Sequence, residues 1–138
     1  MKIRPMIPED FDEIYFLWTS LPLDMEPYDI EKEEVLETLK LNPASCLVAE
    51  ENNKILGGVI GAFNGRRGWI HHLAIDKKYQ KKGYGAMLLK AAEDALRKRG
   101  AKKFLLTVEY KNLDTLPFYM KKGYTPYHEA LILRKFLK

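Results

Sequence analysis

The segment Ile75-Asp-Lys-Lys-Tyr-Gln-Lys-Lys-Gly-Tyr-Gly85 constrains the fold of this chain more than any other stretch. It joins an apolar run, Trp69 to Ile75, to an amphipathic one, Ala86 to Arg99. In the second run Leu88, Leu89, Ala92, Ala95 and Leu96 recur on one helical face. A strand therefore hands over to a helix through a loop holding Gly83, Gly85 and the lysines Lys77, Lys78, Lys81 and Lys82. Glycine has no Cβ, so a ligand can approach the backbone closely there. The first amides of a helix lack intrahelical acceptors and carry partial positive charge, which suits an anion. Local chemistry makes this loop a phosphate-binding site.

The rest of the chain reads as short elements around that junction. Lys2 to Met6 is an edge strand, and Pro8-Glu9 opens a helix through Thr19 with Phe11, Ile14, Tyr15, Leu17 and Trp18 as its apolar face. Ser20 to Asp29, with two prolines, is a loop. Ile30 to Leu41 is a second helix, stopped by Asn42-Pro43. Cys46 to Glu50 and Ile55 to Phe63 form a hairpin across Asn52-Asn53, and Asn64-Gly65 leads into Trp69 to Ile75. Gly100 caps the long helix at its C-terminus. Lys103 to Val108 is a strand, Leu113 to Lys121 a short helix and Leu131 to Phe136 a last strand. The order β-α-α-β-β-β-α-β-α-β predicts an α+β or mixed α/β fold, with residues 1–138 as one domain.

Bulk properties narrow the function. The net charge of +4, from 23 Lys+Arg against 19 Asp+Glu, favours an anionic ligand but is too small to imply nucleic acid. The single cysteine, Cys46, excludes an internal disulfide and a Cys-rich zinc site, and no metal is expected. Flanked by Leu47 and Val48, Cys46 reads as a buried apolar residue and not as a nucleophile. No signal-peptide core follows the N-terminus and no run reaches membrane-spanning length, so a cytoplasmic setting with no membrane partner is expected.

A lone Gly-x-Gly after a strand is often a plain turn, and a lysine cluster is often solvated surface. Here Gln80-Lys81-Lys82-Gly83-Tyr84-Gly85 resembles the Gln/Arg-x-x-Gly-x-Gly/Ala signature of the GNAT superfamily of acetyl-CoA-dependent N-acetyltransferases, with Leu73-Ala74-Ile75 and Tyr79 as a fitting lead-in. A second signature, Asn-x-x-Ala-x-x-aliphatic-Tyr-x-x-x-Gly-aromatic, is matched by Asn112, Tyr119, Gly123 and Tyr124. Thr115 departs from the alanine and Phe118 from the aliphatic residue. The opening Ile-Arg-Pro-x-x-Pro-Glu-Asp-Phe is also similar to the family's first strand and helix, so the resemblance spans nearly the whole chain.

The resemblance implies a mostly antiparallel central sheet with one splayed pair of strands and about four flanking helices. It implies acetyl-CoA as co-substrate, with the amides of Gln80, Lys81, Lys82, Gly83, Tyr84 and Gly85 around the pyrophosphate. Leu73, Ala74 and Ile75 would line the pantetheine arm, and Asn112 would bond that arm or hold the strand-to-helix turn. Tyr119 would be the acid that protonates the leaving thiolate. The base is open between His72 (or its neighbour His71), Glu109 and ordered water. By strand alternation one of the two histidines faces the acceptor side. Trp18 and Trp69 read as core or pocket wall. The acceptor is a small-molecule or peptide amine, which Asp24, Glu26 and Asp29 would attract unless they are simply solvated acids near a helix start. A homodimer is compatible with the family.

Three other functions compete. A protein N-terminal acetyltransferase of the ribosomal-protein type typically has Leu-Glu-Val before the Asn motif, where this chain has Leu106-Thr107-Val108. A non-catalytic acyl-CoA-binding domain would have little use for Tyr119. A nucleic-acid-binding domain would need aromatic stacking residues among the basic ones, and none are so arranged.

Overall fold

The computed structural model describes residues 1–137. Five strands form one sheet in chain order: β1 (Lys2–Pro5), β2 (Cys46–Glu51), β3 (Lys54–Phe63), β4 (Gly68–Ile75) and β5 (Phe104–Leu106). The first four are antiparallel neighbours, and β5 joins β4 in parallel. The β2–β3 hairpin turns on Asn52 and Asn53, both in the left-handed region at φ 53° and 62°. Asparagine tolerates that conformation at small cost, and its twist matches the flanking strands.

Helices cover both faces. Helix α1 (Phe11–Thr19) and helix α2 (Tyr28–Leu41) lie over one side, where Phe11, Ile14, Trp18, Val35 and Leu39 pack with Val48 and Ile60. Helix α3 (Tyr84–Lys98) lies over the other, burying Leu88, Leu89, Ala92 and Leu96 against Leu47, Ala49, Val59 and Ile70. The alternation along β2 thus sends Val48 one way and Leu47 and Ala49 the other. A short helix α4 (Leu116–Lys121) follows β5. The mixed α+β architecture, mostly antiparallel with four α-helices, agrees with the sequence expectation.

Close approach of β3 to β4 requires glycine at position 57. A Cβ there would stand 2.5 Å from the carbonyl oxygen of Ala74. Backbone cannot yield as a side-chain tip can, so Gly57→Ala should lower unfolding stability by about 3 kcal/mol. Chemical denaturation of the pair checks this; equal midpoints would show that the strands separate freely.

Several boundaries differ from expectation. Residues 8–10 form a 3-10 turn ahead of α1, and residues 110–115 another ahead of α4. Helix α2 starts two residues earlier than expected, at Tyr28 behind Pro27, and α3 starts at Tyr84. The strand expected over Lys103–Val108 shrinks to three residues. The strand expected over Leu131–Phe136 is not formed: these residues have no regular structure, and Leu131, Leu133 and Phe136 are 88%, 87% and 77% exposed. β-propensity describes fit to a half-buried pleated surface, and this segment has no neighbouring strand to supply one.

Candidate active site

The site is built where β4 and β5 part. They pair only from Gly68 to Ile70, opposite Phe104 to Leu106. Beyond Ile70 the rest of β4 has no partner on that side, and a cavity opens. Its walls include Leu23, His72, Leu73, Thr107, Glu109, Asn112 and Tyr119. This is the splay expected from the resemblance, with Leu73 on its wall. Ala74 and Ile75 are buried on opposite faces of the sheet, so their side chains belong to the two cores and only their backbone is available to a ligand.

At the C-terminal end of β4 the chain makes one 3-10 turn, Lys77–Tyr79, capped by the Asp76 carboxylate accepting from the Lys78 amide at 3.0 Å. Lys81 (φ 65°) and Gly83 (φ 85°) then take left-handed conformations before α3 begins. Among the described residues, the amides from Lys81 to Ala86 donate to no protein acceptor; the first amide of the series to find one is Met87, to the Gly83 carbonyl at 3.1 Å. Such a run of free donors at a helix start fits a phosphate. Gly85 fits it too: a Cβ there would meet only Ile75 and Phe118 at 3.7 Å, ordinary contact, so packing does not demand the glycine.

Side chains around this cradle have distinct tasks. Gln80 donates its amide to the Ile75 carbonyl at 2.8 Å, tying the loop to the strand end. It therefore shapes the cradle from outside. Lys81 and Lys82 are exposed, and Lys82 lies over the Tyr79 ring at 5.6 Å. Tyr84, half-buried, packs with the α3 core.

On the far wall, Tyr119 projects from α4 between Phe118 and Tyr124, with ring centroids 5.1 and 5.9 Å away. Its hydroxyl has no hydrogen-bond partner among the described residues. Burial pushes the phenol up to about 12, so it keeps its proton across the neutral range. Asn112 holds the turn before α4: its amide donates to the Glu109 carbonyl at 2.8 Å, and its carbonyl accepts from Thr115 Oγ1 at 2.8 Å. Its side-chain amide is left to face the cavity. Thr115, the departure from the usual alanine, thus earns a hydrogen bond of its own.

The two histidines depart from simple alternation. Gly58 pairs with Ala74 and Ile60 with His71, so Val59 alone stands opposite His72 and Leu73. This is a β-bulge, and His72 sits in it at φ 52°. The extra residue carries both histidines to the α1–α2 side of the sheet. His71 stacks parallel to Trp69 at 6.0 Å and opens to the cleft. Although His71 is exposed, the protein around its ring lowers its pKa, and His72 adds to this. His72 packs against Trp18 at 4.8 Å, and its carbonyl accepts from the Trp18 indole N–H at 3.1 Å. Trp18 is fully buried and Trp69 half-buried, as wall and core.

The loop before α2 closes the acceptor side. Leu23 lines the cavity, the Asp24 amide donates to Glu109 Oε2 at 3.3 Å, and the Asp24 carboxylate pairs with Lys111. The Glu26 backbone amide also donates to Glu31 Oε1 at 3.0 Å, while the Glu26 and Asp29 side chains are exposed. Glu31 escaped the sequence reading because an acid in the first turn of a helix is ordinarily exposed. Here it is 5% exposed, and its Oε2 lies 3.6 Å from His72 Nε2. Burial pushes this carboxyl up, but His72 and the Glu26 amide outweigh it, and the net shift is downward.

A sheet splayed near a helix start with free amides, with a protonated tyrosine lining the gap, is a geometry suited to a phosphate-bearing ligand. The chain belongs to the acetyltransferase (GNAT) family, whose model matches residues 8–124. It is 31% identical over 124 residues to an acetyltransferase of Yersinia pestis, covering 90% of this chain and 87% of that one. Its fold is shared with an aminoglycoside 6'-N-acetyltransferase from Acinetobacter haemolyticus (TM-score 0.81, 15% identity, all of both chains). It is shared also with Ard1 from Thermoplasma volcanium (TM-score 0.78, 23% identity, 90% of this chain and 82% of that one). The protein is an acyltransferase of a family that uses acetyl-CoA as co-substrate. No helix among the described residues is long and apolar enough to cross a membrane, and those residues hold no metal-ligating cluster.

Proposed function

We propose that this protein moves an acetyl group from acetyl-CoA to a primary amine by direct attack, without an acyl-enzyme. What supports this reading is the run of amides from Lys81 to Ala86 left without acceptors at the start of α3, together with a Tyr119 hydroxyl that lines the splay and bonds no other described residue. A Cβ on Gly85 would come within 3.7 Å of Phe118, the residue before Tyr119, which supports reading donor cradle and acid as one site.

Acetyl-CoA would supply an activated thioester. The free amides and the α3 dipole hold its pyrophosphate, and the exposed lysines of the loop add attraction from outside. The edge of β4 that β5 leaves open beyond Ile70 is the surface along which the pantetheine lies, and a backbone amide beside Leu73 or Ile75 faces the carbonyl oxygen as its charge grows. Tyr119 gives its proton to the departing thiolate. An acceptor ammonium has no lone pair, so His72 removes a proton before attack. Glu109, fastened to the Asp24 amide, shapes the acceptor wall and draws the cation inward. Cys46 is fully buried and burial raises its thiol to about 11, which leaves it unsuited to carry an acyl group.

Release of free thiol from acetyl-CoA tests the reading, measured with small amines, amino acids, polyamines, aminoglycosides, lysine peptides and peptides with free N-termini. Turnover is expected with at least one class. No release with any of them would favour an acyl-CoA-binding domain.

A further inference from the structure

We propose that Glu31 is a positioning residue for the acceptor half of the reaction: it fixes the His72 imidazole with Nε2 protonated and Nδ1 bare toward the cleft. This rests on the reading of His72 as the base. Three contacts hold His72, two from the Trp18 indole and one from Glu31. The Trp18 ring lies against its ring, the Trp18 indole N–H grips its carbonyl at 3.1 Å, and the Glu31 carboxylate stands 3.6 Å from Nε2. Its backbone sits at φ 52° in the bulge, where histidine is among the better-tolerated non-glycine residues.

Glu31 is the least expected of these partners. It is 5% exposed, on a helix whose neighbouring acids Asp29, Glu33 and Glu34 are not buried. A carboxylate removed from water is stable only when paired and hydrogen-bonded. Oε1 is satisfied by the Glu26 amide, and Oε2 faces the imidazole. A lone pair on Nε2 would repel that oxygen, so the proton of neutral His72 belongs on Nε2. Nδ1 is then the free base. The hydrogen bonds of the described residues include none to it.

The proton balance is complete. An acceptor ammonium gives one proton to Nδ1 and becomes a neutral amine, and the imidazolium so formed is paired with Glu31. Once the amine nitrogen has bonded to the acetyl carbon it loses its second proton to solvent, while Tyr119 protonates the thiolate and is recharged from His72 or water. The carboxylate thus orients the ring without touching substrate. The orientation resembles what the single carboxylate does for the histidine base in hydrolytic triads, with the two ring nitrogens exchanged.

A purely structural role also exists for Glu31, as the acceptor that ties the Glu26 amide to α2. Glu31→Gln separates the two, because a carboxamide oxygen can still take the Glu26 N–H while the negative charge is lost. Nitrogen-15 spectra of the ring in wild-type protein should show the Nε2–H tautomer. In Glu31→Gln the tautomers should mix, with kcat about tenfold lower and the KM for acetyl-CoA unchanged. A wild-type ring in the Nδ1–H form, which needs no variant to detect, would overturn the proposal. So would a Glu31→Gln protein with the wild-type spectrum and kcat. If the tautomer responds as stated but His72→Gln retains full turnover, the hold of Glu31 on the ring stands and the base assignment falls.

Discussion

Tyr119→Phe should lower kcat by about a hundredfold, on the order of 3 kcal/mol of transition-state stabilisation, with the KM for acetyl-CoA changed less than about twofold. The substitution removes one hydroxyl that bonds to no other described residue, so the fold has no such partner to lose. The ring stays wedged between Phe118 and Tyr124. What disappears is the proton that the departing thiolate needs, and that need arises only as the thioester bond breaks. The effect therefore falls on kcat and spares ground-state binding. Steady-state kinetics with the best amine of the panel measures both constants. An unchanged kcat would mean that solvent protonates the thiolate and that Tyr119 is only a wall.

The second large effect concerns the donor. Gly85→Asp should weaken acetyl-CoA binding about a hundredfold while leaving the protein as stable as wild type, or slightly more so. Its Cβ has room, at 3.7 Å from Ile75 and Phe118, and its φ requires no glycine. A carboxylate in the first turn of α3 complements the helix dipole, which favours the fold. The same charge occupies the place a pyrophosphate would take and repels it. Stability and affinity should therefore move apart, which a general packing defect cannot produce. Thermal melting alongside an acetyl-CoA titration reads both. Loss of the two together would place Gly85 in the core.

These two residues were legible for different reasons. The cradle is local: left-handed residues, a helix start and a ligand space all lie within Lys81 to Ala86, so the residue types alone carry it. The position of Gln80 in the loop is likewise local, but its task, holding the Ile75 carbonyl, depends on where β4 ends. Tyr119 came from a motif resemblance, since a tyrosine beside Phe118 is otherwise indistinguishable from a core aromatic. The β4 bulge was invisible: two histidines in an apolar run carry no turn residue to announce an extra one. Glu31 was hidden by the ordinary preference for acids at helix starts, because its burial is a product of the Ser20–Pro27 loop folding over it. At Leu131–Phe136 the sequence pattern describes a strand, and only the absence of a neighbouring ladder explains why none forms.

Direct transfer to an amine is most directly tested by mass spectrometry of a single turnover, following protein and amine together. Wild-type protein mixed with acetyl-CoA alone should remain unmodified. Addition of the best amine should yield that amine carrying one acetyl group on nitrogen, with free coenzyme A in equal amount. An acetylated protein that then passes its group to the amine would contradict the account, and so would acetyl-CoA consumption with no acetylated amine.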